Sequence, residues 1–399
     1  MDFIFNVEFK DEKRGSAHAK VTVGIPQGIL AQLFWADENG KPLDDYLPIK
    51  AFALDENGCG TYEIADGVFL PEDAAAVLLK VFNDDMIEIV LPEMKFPIPE
   101  SKRFPKAERI GRVFVTSDIH VGGHYFHNDE NREKAFAFIA VAKPDFVLMA
   151  GDVTDNSNVV EWEEARALLE KHFVDIPLGI VPGNHDYAPY KPGCVPHYDE
   201  MRAFFSWVCE HDKALGAEVS PLSDRNEYTV RFAGVQAIMA NPCHEQNVFF
   251  MGEDKLAWLD EQLAASDGER LRYVVTHFHQ RGTVACFMRR EDANYFRDND
   301  AMQEILDRHG NIIHVSGHTH LNFDLDCLNG KYDGKHKVLY LNAGCAVWNG
   351  VCMEVRREYY LQHRATGQCL DICDGCVIAR GVDFVSGKFV PRCQTLAEI

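Results

Sequence analysis

The chain has no apolar run approaching the roughly 18 residues that a membrane-spanning helix requires. Its N-terminus, MDFIFNVEFKDEKRGSAHAK, has no basic leader followed by an apolar stretch. A cytoplasmic protein with no membrane partner is therefore the expectation. Positive charge is also scarce: 40 Lys and Arg stand against 62 Asp and Glu, a formal net charge of −22. Such a field repels phosphate backbones, and no basic stripe with interleaved aromatics offsets it, so nucleic acid is disfavoured as a partner. A small anionic substrate is repelled at long range too, and its site would need concentrated local positive charge, such as metal ions. Paired CxxC motifs are missing, and 12 scattered cysteines read as reduced thiols. The densest group, Cys369, Cys373 and Cys376 with Cys393 beyond, is a candidate structural zinc site, but its spacing fits small apolar residues better. Oligomeric state is not legible.

What is present is the composition of an ordinary globular protein, 46% hydrophobic and 26% charged over 399 residues, long enough for two domains. Residues 1–92 hold short β-rich runs with no sustained helical period, which predicts an all-β, sandwich-like accessory domain with its two DENG segments as hairpin turns. A proline- and charge-rich linker follows over 93–110, expected to break regular structure. From 111 to 350 apolar strands alternate with amphipathic helices, as in an α/β catalytic domain. Residues 351–399 read as a β-rich extension packing on it.

Five strands of the α/β region end in metal-binding chemistry: Asp118 and His120, Asp152, Asn184 and His185, His277, and His318 with His320. Ligands gather at the carboxyl ends of strands in open α/β sheets. Taken singly, SDIH and GD are ordinary turn chemistry, and His277 reads as a satisfied histidine. GHTH differs, because His318 and His320 project to one face of an extended segment. The ordered set of five is what chance does not supply.

In that order, D-x-H at 118–120, GD at 151–152, GNHD at 183–186, His277 and GHTH at 317–320, the chain resembles the calcineurin-like metallophosphoesterases over about residues 111–345. The resemblance implies a four-layer α/β/β/α sandwich and two transition-metal ions. One would be held by Asp118, His120, Asp152 and His320, the other by Asp152, Asn184, His277 and His318, with Asp152 bridging. His185 is left for catalysis on the departing oxygen, and Asp186 is a candidate to orient it, with an N-cap or turn acid as the alternative. A nitrogen and oxygen donor set suits manganese, iron or zinc.

The motifs look most like the cyclic-nucleotide-phosphodiesterase-type branch. Purple acid phosphatases carry a tyrosine where this chain has Asp155. The arginines that protein serine/threonine phosphatases place around the second and third motifs are missing from GDVTDNS and VPGNHD. The expected activity is hydrolysis of a small phosphodiester; phosphomonoester hydrolysis is the alternative, with a nuclease or a non-catalytic scaffold behind it. His124, His127 and His279 are further candidates for phosphate contact, against the plainer reading of exposed loop histidines.

Overall fold

The computed structural model describes residues 3–11, 14–43, 48–64, 70–71, 73–90, 94–103, 108–123, 129–187, 195–241, 243–245, 248–266, 271–284, 298–320, 323, 329–347, 349–352, 359–362 and 365–398. The chain divides into two compact units, residues 1–107 with 394–396 and residues 108–393 with 397–399.

The first unit contains β1 (Ile4–Phe9), β2 (Ala19–Gly24), β3 (Leu30–Ala36), β4 (Lys50–Ala53), β5 (Cys59–Ile64), β6 (Ala76–Phe82), β7 (Glu88–Ile89) and β8 (Lys95–Pro97). They form two antiparallel sheets, β1-β2-β5 and β4-β3-β6-β7, with β8 also on β6. In β2 the buried Ala19, Val21 and Val23 alternate with more exposed Lys20 and Thr22, the period of a half-buried strand. Rings from the two sheets meet at Phe52 with Tyr62 and at Phe5 with Phe96.

Two expectations change here. Both DENG segments are turns closed on their aspartate, through Gly40 N to Asp37 O and Gly58 N to Asp55 O. The second is no hairpin, because the strands it joins, β4 and β5, belong to different sheets. The proline-rich stretch also holds regular structure: β8 pairs with β6, and Pro97 is tolerated because, among the described residues, β8 pairs with no second strand that would need its N–H.

The second unit runs β9 (Arg109–Thr116), α1 (Asp129–Ala142), β10 (Phe146–Ala150), α2 (Val159–His172), β11 (Leu178–Val181), α3 (Asn184–Tyr187), α4 (Tyr198–Ala214), β12 (Glu218–Val219), β13 (Tyr228–Phe232), β14 (Val235–Met239), β15 (Cys243–Glu245), β16 (Val248–Phe250), α5 (Glu253–Ala265) and β17 (Leu271–Thr276). It continues through α6 (Asn299–His309), β18 (Ile312–Ser316), β19 (Gly330–Asp333), β20 (Val338–Asn342), β21 (Asn349–Cys352), β22 (Tyr359–Gln362), β23 (Thr366–Cys373), β24 (Cys376–Asp383) and β25 (Lys388–Glu398).

Two sheets organise it, β11-β10-β9-β23-β24-β25 and β12-β13-β14-β17-β18-β20-β19. One core cluster joins apolar residues of both sheets, such as Met149 and Val181 with Met239 and Val275, and takes in Phe136 of α1, Trp162 of α2 and Phe205 of α4. A second cluster packs Leu259 and Leu263 of α5 and Met302 and Leu306 of α6 against Val274 and Tyr340. The layers are therefore α/β/β/α. Strands β9, β10 and β11 are mutually parallel, as are β14, β17, β18 and β20. Parallel strands gather their carboxyl ends on one edge, which is where the five motifs fall. The C-terminal residues enter the fold as β23–β25 of the first sheet rather than as a layer laid upon it, with β23 antiparallel to β9.

Candidate metal centre

The motif loops continue the pairing of the strands they follow. Asp118 N donates to Gly151 O at 2.9 Å and His120 N to Asp152 O at 3.0 Å, so the D-x-H and GD loops run side by side. Gly317 N donates to His277 O at 3.0 Å and does the same for the other sheet. Asp118, His120, Asp152, His318 and His320 all have positive φ, between 40° and 67°. For residues with a side chain this conformation costs about 1–3 kcal/mol each and persists only where the surroundings enforce it. Two glycines make the approach possible: a Cβ at Gly183 would lie 2.1 Å from Asp152 Oδ1, and one at Gly317 would lie 1.9 Å from Ser117 Oγ.

The result is two donor groups sharing one carboxylate. Asp118, His120, Asp152 and His320 present ligand atoms within 4.8 Å of one another, and so do Asp152, His277 and His318. Asn184 joins the second group, its Oδ1 lying 3.0 Å from His277 Nε2. Each of the seven sequence-derived ligand candidates is thus brought to this edge. The Nε2 atoms of His120 and His320 face each other at 3.2 Å, an arrangement that a cation between their lone pairs would satisfy.

The electrostatics fit the same occupant. Burial pushes the Asp152 carboxyl up, but the imidazoles of His277, His185 and His120 hold it well below the usual carboxylate range. Against burial, the sulfur of Cys345 and then Asp118 keep a proton on His320, and Asp152 keeps one on His277. A divalent ion bound by these atoms would take the place of those protons. His277 is already turned for it, since Nδ1–H donates to Ala150 O at 2.6 Å and leaves Nε2 toward Asp152 at 3.2 Å.

His185 lies beside the cluster, its ring edge-on to His120 at 4.6 Å between centroids. Its Nδ1 lies 3.0 Å from Asp155 O and 3.4 Å from Asp155 Oδ1. Burial lowers its pKa, but Asp152 and Asp155 outweigh that and raise it to about 9. Asp155 also faces His120 Nδ1 at 3.2 Å. The aspartate that meets His185 is therefore Asp155, not Asp186. Asp186 is fully buried and its oxygens receive four donors: Gly183 N, Val153 N, Thr154 N and Thr154 Oγ1. It fulfils the turn-acid alternative, and α3 beginning at Asn184 carries it away from the imidazole.

Burial and, after it, the charge of nearby His279 lower the pKa of the buried His314 to about 3. His124 and His127 fall outside the described residues. Among the described residues the candidate metal groups contain none of Cys369, Cys373, Cys376 and Cys393. Two residues at the site escape a motif reading. Arg132 of α1 donates from Nη1 to the carbonyls of Ile119 and His120 at 2.7 and 3.1 Å, clamping the D-x-H loop. Cys345 follows β20, a further parallel strand ending at this edge. Neither position has a neighbour in sequence that marks it.

Comparison with known proteins agrees with this geometry. The family model described as calcineurin-like phosphoesterase matches residues 111–322, more than half the chain. A protein of Arcobacter nitrofigilis described as "Probable glycerophosphodiester phosphodiesterase GpdQ" is 24% identical over 135 residues, which is 34% of this chain and 42% of that relative. The chain therefore spans less than half the length of the curated relative it matches. Among solved structures, a purple acid phosphatase, PPD1 from yellow lupin (Lupinus luteus) seeds, superposes with a TM-score of 0.51 at 11% identity, covering 99% of this chain and 74% of that one. At that identity the likeness concerns the fold alone.

Proposed function

The chain belongs to the calcineurin-like phosphoesterase family, and from that premise we propose that it is a dinuclear-metal-dependent hydrolase of a small phosphodiester. The observation that carries the reading is the pair of donor groups meeting at Asp152. Asp118, His120, Asp152 and His320 would hold one ion and Asp152, Asn184, His277 and His318 the other, manganese, iron or zinc by donor chemistry. Such a pair, when bound, activates water near neutral pH and offsets charge on the phosphoryl oxygens.

The chain's own residues supply the rest. Asp152 belongs to both donor groups and would reduce the repulsion between the two cations. Asp152 and Asp155 raise the pKa of His185 to about 9, so it would carry a proton at neutral pH, and with Nδ1 engaged by Asp155 it would deliver that proton to the departing oxygen from Nε2. Asp155 holds that ring by both its carbonyl and its carboxylate. The positive φ of five ligand residues fixes the donors before substrate arrives, so reorganisation during reaction is small.

The diester reading rests on charge and on likeness. A monoester brings nearly two negative charges into a strongly anionic protein, whereas a diester brings one, which two metals and one imidazolium offset. The relative from Arcobacter nitrofigilis is named for a phosphodiester substrate, which supports the same choice. The test compares kcat/KM for bis(4-nitrophenyl) phosphate and 4-nitrophenyl phosphate with manganese supplied, repeated with cyclic nucleotides and nucleotide monophosphates. Preference for the diesters is expected; a clear preference for monoesters overturns the reading.

A further inference from the structure

Cys345 is fully buried on the loop after β20. That loop is fastened to both sheets: Ala343 N donates to Ser316 O at 2.7 Å, Ala346 N to Ser117 O at 3.0 Å, and Thr366 N to Cys345 O at 2.8 Å. The thiol is thereby fixed between two ligand-bearing loops. Its Sγ lies 3.3 Å from Asp118 O and 3.6 Å from His320 Nδ1. Both contacts are within the range of hydrogen bonds to sulfur.

Their directions follow from the inventory of donors. A backbone carbonyl only accepts, so the S–H must donate to Asp118 O. The sulfur is then left to accept, and His320 must supply the proton from Nδ1. Nε2 of His320 is correspondingly the nitrogen whose proton a metal ion would displace, and it is the one that lies 2.9 Å from Asp118 Oδ1 and 3.2 Å from His120 Nε2. Ring orientation and tautomer of a metal-ligating histidine are set by the partner of its other nitrogen. At His277 that partner is the Ala150 carbonyl, and at His120 it is Asp155. At His320 the thiol holds the equivalent place.

We infer that Cys345 is a positioning residue for the first donor group: its thiol ties the Asp118 loop to His320 and selects Nε2 of His320 as the metal-binding atom. The inference rests on the metal-binding reading of the site, and adds which residue tunes one of its two positions. Serine retains a donor and an acceptor and should substitute in part. Alanine removes both bonds of the thiol and so loosens the hold on the His320 ring.

The experiment is cobalt(II) titration of the parent protein, C345A and C345S, followed by d–d absorption, metal analysis after dialysis, and thermal unfolding of the metal-free proteins. The parent should take up two equivalents. C345A should lose about ten- to a hundredfold in affinity at one step, the effect typical of removing such a partner, with a changed absorption band and the other step intact. C345S should recover most of the loss. Parent-like affinity at both steps and an unchanged spectrum in C345A overturn the inference. A parent that binds no metal overturns the functional reading itself, a failure visible in a different protein of the set. A second measurement needs no variant: long-range nitrogen–proton NMR of the zinc-loaded parent should find the His320 proton on Nδ1, and zinc on Nδ1 instead overturns the inference.

Discussion

Thr154 donates twice to one oxygen of Asp186, from its backbone N–H at 2.8 Å and from its hydroxyl at 2.7 Å. With Gly183 N and Val153 N on the other oxygen at 2.8 and 3.1 Å, Asp186 struts the GD loop against the GNH loop. Burial and Asp152 push its carboxyl up to about 6, while these donors pull the other way. Asp186→Ala strands buried donors that cost about 1–3 kcal/mol each. Urea unfolding of the metal-free protein should show a loss of several kcal/mol, and Asp186→Asn a smaller one. A loss under about 1 kcal/mol in the alanine variant would show that Asp186 does not brace the two loops.

Asp152→Asn should weaken both metal positions together, since Asp152 belongs to both donor groups. Asn184→Ala should empty mainly the position that includes His277, whose Nε2 it meets at 3.0 Å. Elemental analysis after gel filtration reads both outcomes: close to two equivalents in the parent, near none in the first variant and about one in the second. Equal depletion by the two substitutions contradicts the shared-carboxylate arrangement.

His185→Ala is expected to lower kcat by roughly ten- to ten-thousandfold, the span of general acid catalysis, with metal content unchanged. Asp155→Asn should act on the same ring more gently. Asp155 helps to raise the His185 pKa, so losing its charge lets the imidazolium deprotonate at lower pH. The alkaline limb of the pH–rate profile should move down accordingly; an unmoved limb separates His185 from the proton transfer.

Asp212 of α4 is wholly buried and accepts from Leu178 N at 2.7 Å. Burial raises its pKa from 3.8 to about 8. The folded state thus binds a proton that the unfolded state releases above about pH 4, and stability should fall as pH rises from there to about 8, by up to about 1.4 kcal/mol per unit. Asp212→Asn carries no such proton and should flatten that slope in denaturant midpoints measured across the range. An unchanged slope would assign the pH dependence to other groups.

The site was more legible than the frame around it. Metal ligands need fixed residue types at the ends of successive strands, so Asp118, Asp152, His277 and the two histidines of GHTH stand out in order. Asp155 and Cys345 act through hydrogen bonds that many residue types can make, and their roles exist only once the loops are folded together. Asp186 misled because adjacency to His185 in sequence becomes divergence when α3 begins between them. The second DENG turn misled for a related reason: a turn motif fixes local geometry, but not which sheet receives the next strand. Helix α4, with its buried Met201, Phe204, Phe205 and Val208, and strand β20 carry no motif that would single them out in the sequence.

Strand β9, which delivers Asp118 and His120, has β10 on one side and β23 on the other, with Gln368 opposite Val115. Its first neighbour is made soon after it; the second is separated from it by most of the catalytic unit. As the chain leaves the ribosome, one edge of β9 stays without its backbone partners until the last strands emerge. Contacts of such sequence separation slow folding, and an open apolar edge invites pairing with another chain. The first half of the site is therefore also the last to be enclosed during synthesis, and shortening the chain before β23 should yield aggregates rather than a smaller working enzyme.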